Sequence, residues 1–207
     1  ALDNIKGKKL LKMFNFEKIY IFYVIYIFIA VCVIIIWLLL PATTLLIFLI
    51  VAAFHFGKED TQFLINKKSY LIQLLYLLKG SLIILAPLYF HFDDTVKIFK
   101  SLLVVNESFY LFLEFLEEKK IIEIAIILSS LSSIFLFIDK FELKKFVIFF
   151  DYFSIIILNY YFNPLTAFTI YFCFLHSVRH SISLAIELDE HNLQNGIKLF
   201  IIKALPL

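Results

Sequence analysis

Arginine is nearly absent. Of the 19 basic side chains in the 207 residues, only Arg179 carries a guanidinium. Acids number 17, so neither sign of charge dominates, and a formal net charge of +2 carries no electrostatic signature of a nucleic-acid partner. The two cysteines, Cys32 and Cys173, sit inside apolar runs, where a thiol behaves as a small hydrophobe, and no disulfide is expected. There is no internal repeat and no low-complexity linker. The opening stretch ALDNIKGKKLLKMFNFEK is charged, but no short apolar run with a small-residue cleavage site follows it, so it does not read as a signal peptide. What remains is apolar. Hydrophobic residues make up 62% of the chain, against roughly 45–50% in soluble domains, and the mean hydropathy is +0.94. This composition predicts an all-α polytopic membrane protein.

A spanning helix needs about 20 mostly apolar residues. Ile19 to Leu40 meets that length without a charge, and Pro41 stops or kinks the run before a second one, Ala42 to Phe56. The two are either a helical hairpin or one sharply broken helix, and the hairpin is the favoured reading. Gly57 is expected to let the chain turn into the polar connection that follows. Tyr70 to His91 is a third span, interrupted at Lys79 and Gly80 and bent near Pro87. Residues 92–120 have apolar residues at helical spacing but also Lys97, Lys100, Asn106, Glu107 and Glu114, so the segment is either an interfacial amphipathic helix or a span. Ile121 to Ile138 follows, with Ser129, Ser130, Ser132 and Ser133 allowing close helix contact. Phe146 to Phe162 and Leu165 to Leu188 are joined by a tight turn at Asn163 and Pro164. The expectation is a single integral-membrane domain over residues 1–207, with about six transmembrane helices plus one interfacial or short helix.

Lysines set the expected orientation. Lys6 to Lys18, then Lys58, Lys67 and Lys68, then Lys140, Lys144 and Lys145 form three clusters between apolar blocks, all expected on the cytoplasmic side. If residues 92–120 do not cross, the segment from Leu165 runs inward, and its histidines lie at the same inner depth as His55.

The stretch YFCFLHSVRHSISLAIEL places two histidines and the lone arginine inside an oily segment. His176 and His180 are four apart, which on a helix puts both rings on one face, close enough to grip one ion. The plainer alternative is a pair of interior histidines bonded to neighbouring hydroxyls. In a membrane an ionisable group costs roughly 2.5–3.5 kcal/mol at the helix centre and is a functional candidate by default. His55 adds a third imidazole at the end of its own apolar run, with Glu59 or Asp60 placed either to accept its N–H and fix its tautomer or to stand as solvated loop charges. With no carboxylate in either histidine-bearing run placed as an obvious ligand, an all-imidazole site suits Zn, Cu or Fe better than Mg or Ca. Arg179 cannot ligate a cation; it snorkels inward or pairs with an acid such as Glu187 or Asp60. Asp151 and Asn159 are placed to orient a ligand imidazole, to pair with Arg179 or to join helices. His91 reads as an interfacial histidine on the outer side, and His191 as a solvated loop residue.

Taken together, FHFGKED and FLHSVRH resemble motifs of the Brp/Blh family of membrane-bound β-carotene dioxygenases, which make retinal for rhodopsins. The family's His-Phe-Gly with a following Asp is matched by His55, Phe56, Gly57 and Asp60, and its His-Ser-x-Arg-His by His176, Ser177, Arg179 and His180. Ala1 and Asp3 match the end of a further motif, His-Gly-Ala-x-Asp, so the sequence is expected to be a fragment beginning just after a metal ligand, short at its C-terminus too, and inactive or nearly so by itself. The resemblance implies Fe(II) held by four histidines, among them His55, His176 and His180, with Asp60, Ser177 and Arg179 supporting them. It implies β-carotene and O2 as substrates, central cleavage to two retinals, a multi-pass place in the cell (inner) membrane with the metal toward the cytoplasm, and a rhodopsin apoprotein as acceptor. The 18% aromatic content suits a polyene tunnel as well as ordinary packing. Two other classes compete. A non-catalytic carotenoid- or retinal-binding accessory protein for opsin assembly would keep a pocket without needing every histidine. A metal transporter would spread polar groups along a path, whereas these histidines cluster at one depth.

Overall fold

The computed structural model describes residues 19–61, 69–102, 104–138, 145–189 and 192–204, and every regular element among them is helical. Helices α1 (Ile19–Leu39) and α2 (Pro41–Glu59) are separated by Leu40 alone. Pro41 opens α2 at a position whose N–H would have no helical partner in any case, so the residue that ends one run starts the next. Next come α3 (Tyr70–Phe90), α4 (Phe92–Ser101), α5 (Glu107–Glu118), α6 (Ile121–Ile138), α7 (Phe146–Tyr161) and α8 (Pro164–Ile170). A π-helical turn, Tyr171–His176, leads into α9 (Ser177–Leu188), and α10 (Leu193–Ala204) ends the described chain.

Among the described residues, four helices are long and apolar enough to cross a membrane: α1, α2, α3 and α6. The 16 residues of α7 are apolar but shorter, and the expected span from Leu165 is a composite of α8, the π turn and α9. Residues 92–120 form two helices, of 10 and 12 residues. At 1.5 Å per residue these reach about 15 and 18 Å, against about 30 Å of hydrocarbon, so neither crosses alone. Asn106, whose side chain accepts from Phe109 N at 2.9 Å, starts the second of them.

The chain forms two compact units, one of Pro41–His180 and one of the residues up to Leu40 with those from Ser181. In the second, α1 is apolar all round with none of its span buried, and Gly196 of α10 lies against the Ala185 backbone of α9. In the first, α3 is central: half of its span is buried, and it packs against α2, α6 and α7. It does so without interruption at Lys79 and Gly80, where the sequence suggested a break. Both residues are buried, Lys79 because it meets acids and Gly80 because α2 docks there. A Cβ on Gly80 would strike the Ala53 carbonyl and come within 2.7 Å of Gly57 N, and one on Gly57 would strike the Tyr76 carbonyl. Ala53 and Gly57 are thus a small-residue pair, four apart, that lets two backbones touch. The expectation that Gly57 turns the chain is corrected accordingly: it lies inside α2, and no described glycine has positive φ.

Of the serines on α6, Ser130 donates to the Ile126 carbonyl (2.7 Å) and lies 2.9 Å from Tyr152 Oη of α7, while Ser132 and Ser133 donate to the Ser129 carbonyl. Asn163 caps α8 by accepting from Thr166 N at 3.0 Å, with Pro164 at the first helical position, as the turn sequence predicts.

Candidate metal centre

Two segments of the Pro41–His180 unit supply the histidines: the end of α2 and the junction of the π turn with α9. The π turn widens the helix so that residues five apart come into register. Tyr171 and His176 therefore lie over one another, with ring centroids 6.2 Å apart. From His176 onward the chain is α-helical, and four residues carry it to His180, whose ring is nearly parallel to that of His176 at 6.3 Å. His55 reaches in from α2, its ring 5.7 Å from that of His176. The Phe56 ring stands perpendicular to the His176 ring at 4.7 Å and Phe172 stacks on it at 5.7 Å; His176 is buried while His55 remains exposed. The three imidazoles are gathered but not closed. Among the described residues, no three His, Cys, Asp or Glu side chains are arranged around one point as a formed metal site.

Glu59 and Asp60 end α2 as acceptors, but not for His55. Asp60 Oδ1 lies 3.1 Å from His176 Nδ1, and Glu59 Oε1 lies 2.8 Å from His180 Nδ1. The expectation that they fix the His55 tautomer is replaced by a cross-helix pairing: α2 ends facing α9, and each carboxylate meets a different imidazole. An ionised carboxylate only accepts, so in a neutral ring each Nδ1 bears the hydrogen and each Nε2 keeps a free lone pair. That is the tautomer in which a carboxylate-bound histidine serves as a metal ligand.

Behind Asp60 lies a polar network that the sequence suggested only in part. Tyr171 Oη donates to Asp60 Oδ2. Arg179 pairs with Asp151 through both terminal guanidinium nitrogens and lies 3.3 Å from Asp60 Oδ1, two of the acids considered for it. Lys79 Nζ stands 3.5 Å from Asp151 and 3.9 Å from Asp60. Burial raises the carboxyl of Asp60, which sits just beyond the last residue of α2. The combined pull of His176, Lys79, Arg179 and Tyr171 outweighs it and holds the group down at about 2. Lys79 and Tyr171 were missed. A lysine in a span carries a signal, since it needs a partner there, but nothing local distinguishes Tyr171 from the other 10 tyrosines.

Other candidates fall elsewhere. Ser177 begins α9, half-buried, and makes no side-chain hydrogen bond among the described residues. His91 ends α3 with Nε2 at 2.8 Å from the Asn159 carbonyl, and Asn159 Nδ2 donates back to Ile155 O of its own helix. His191, Lys67, Lys144, Ala1 and Asp3 lie outside the described residues. A cavity of about 430 Å³ at the turn between α4 and α5, flanked by Lys100, Tyr110 and Glu114, shares no lining residue with the histidines.

No curated protein and no solved structure gives a significant match. A family model described as beta-carotene 15,15'-dioxygenase matches residues 1–207, the full length of the sequence, and the chain belongs to that family.

Proposed function

We propose that this chain is part or all of an iron dioxygenase that cleaves β-carotene at its central double bond into two molecules of retinal, with Fe(II) held by His55, His176 and His180. The observation that carries the reading is the pairing of His176 and His180 with buried or half-buried carboxylates through Nδ1, which leaves two Nε2 lone pairs one helical turn apart beside a third imidazole. This donor set fits ferrous iron, for which imidazole is a common ligand. Fe(II) bound there would supply the one-electron chemistry that lets triplet O2 react with a closed-shell polyene.

The remaining work belongs to the chain. Asp60 and Glu59 hold the two rings in the ligating tautomer, and Phe56 and Phe172 cover His176 against water. The stoichiometry closes without a reductant: one O2 adds, the carbon–carbon double bond breaks, and each oxygen ends in an aldehyde. The distribution of lysines along the sequence supports an orientation with the site toward the cytoplasmic face of the cell membrane. A rhodopsin apoprotein is the acceptor this product would suit.

The test uses the full-length reading frame that encodes these residues, expressed in a β-carotene-producing host and purified with Fe(II). Retinal as the sole carotenoid product, lost in His176→Ala, is the expected result. Bound carotenoid that stays intact in iron-loaded protein would favour the accessory-protein reading and overturn this one, and products of unequal length would overturn central cleavage.

A further inference from the structure

Four buried or mostly buried charges close a ring of alternating sign. Asp60 faces Lys79 at 3.9 Å, Lys79 faces Asp151 at 3.5 Å, Asp151 is paired with Arg179, and Arg179 returns to Asp60 at 3.3 Å. The members come from the end of α2, from α3, from α7 and from α9. Only Asp60 touches a histidine that the proposed iron site uses.

We propose that Lys79 and Asp151 are positioning residues for His176, acting through the ring to hold the Asp60 carboxylate in the orientation that fixes the imidazole. This rests on reading His176 as a ligand. Each Asp60 oxygen has a defined task. Oδ1 receives His176 Nδ1 and faces Arg179, while Oδ2 receives Tyr171 Oη and faces Lys79. The carboxylate cannot rotate without giving up a contact on each side. Lys79 counters both acids, and Asp151 holds Arg179 by both terminal nitrogens, so the two cations do not bear on Asp60 unopposed. The ring is neutral as a whole. Removing one member leaves a buried unpaired charge and forces the others to re-pair.

A mere packing role predicts different behaviour from a charge-balancing one, and a double-mutant cycle separates them. The full-length protein is compared with Lys79→Met, Asp151→Asn, the double variant and Lys79→Arg. Two readouts are taken: Fe(II) affinity by chelator competition, titrating from metal-free protein, and the His176 tautomer by 15N NMR of labelled histidine in the metal-free protein. Each charge-removing single variant is expected to weaken Fe(II) binding by roughly 10- to 100-fold and to abolish the single Nδ1–H tautomer. The double variant, neutral again, and Lys79→Arg are expected to recover both. Wild-type affinity and tautomer in Lys79→Met overturn the proposal, as does a double variant whose loss is the product of the two single losses. Should either single variant fail to fold, the double variant and Lys79→Arg decide by the same two measurements. If His176→Ala binds Fe(II) as tightly as wild type, the ligand reading fails, and the tautomer measurement still decides the positioning role.

Discussion

Replacing Gly57 by alanine puts a methyl group where two helix backbones touch. The new Cβ would lie 2.8 Å from Gly80 N and closer still to the Tyr76 carbonyl. Carbon atoms settle at about 3.5 Å or more from their neighbours, so α2 and α3 must part by at least about 0.7 Å at the nitrogen, and by more at the oxygen. Both contacts are backbone, which cannot swing aside as a side chain can. Overpacking typically costs about 1–3 kcal/mol, and the absence of any flexible neighbour places this case at the upper end. About 3 kcal/mol shifts the folded-to-unfolded ratio by roughly a hundredfold. The displacement also reaches the histidines, because Gly57 is two residues from both His55 and Glu59 and three from Asp60. Unfolding in a graded detergent series, followed by far-UV circular dichroism, measures the first effect, and Fe(II) affinity of the fraction that remains folded measures the second. Gly80→Ala is the reciprocal test, since its Cβ would meet Ala53 O and Gly57 N. Unchanged stability in both variants would refute the backbone-contact argument.

Three further outcomes follow from single contacts. Glu59→Gln keeps the shape of the acceptor but loses its charge opposite His180 Nδ1, and should weaken Fe(II) binding by about 10-fold with little change in stability, read by chelator competition beside a thermal melt; equal affinity would remove Glu59 from the site. Ser129 Oγ is fully buried with no hydrogen-bond partner among the described residues, so Ser129→Ala should leave stability unchanged or raise it by up to about 1 kcal/mol; a clear loss in the same detergent series would reveal a partner for the hydroxyl. Cysteines introduced at Lys67 and Lys144 should label from the same side of the membrane in intact cells, and labelling from opposite sides would overturn the orientation drawn from the lysine clusters.

Hydropathy and helix-end chemistry carried the elements. Ile121 to Ile138 was bounded to the residue, because an apolar run whose one charge, Glu123, lies in its first turn is flanked by Lys119, Lys120 and Asp139. The break at Pro41 and the start at Asn163 and Pro164 were legible for a related reason: proline and an amide cap act on their own neighbours. The motif residues His55, Asp60, His176, Arg179 and His180 were legible as a group. Their partners were not. Glu59 and Asp60 bond histidines more than 100 positions away, and no local spacing says which imidazole a carboxylate will meet. The π turn was invisible because the hydrophobic pattern of an all-apolar stretch has no phase to lose, and Tyr171 was hidden with it. Lys79 and Gly80 were read as an interruption because each is unfavourable in an apolar span taken alone. Each becomes compatible only through a neighbour, Lys79 through two acids and Gly80 through the α2 backbone.

That last point bears on why the site has this form. A single ionised side chain at the centre of a membrane helix costs roughly 2.5–3.5 kcal/mol, and an imidazole needs a carboxylate if its tautomer is to be fixed. An isolated Asp60 would therefore conflict with the apolar bundle, and removing its charge would release His176. Lys79 or Arg179 alone would balance Asp60, but both cations beside that single acid would leave an excess positive charge that draws the carboxylate away from the imidazole. With a second acid, Asp151, each cation divides its attraction, and Asp60 keeps an oxygen for the ring. Four charges thus do what one could not: they present a carboxylate to His176 inside an apolar core while the group as a whole remains neutral. On this argument Asp151, though it touches no imidazole, matters to the tautomer of His176 for as long as Lys79 carries its charge.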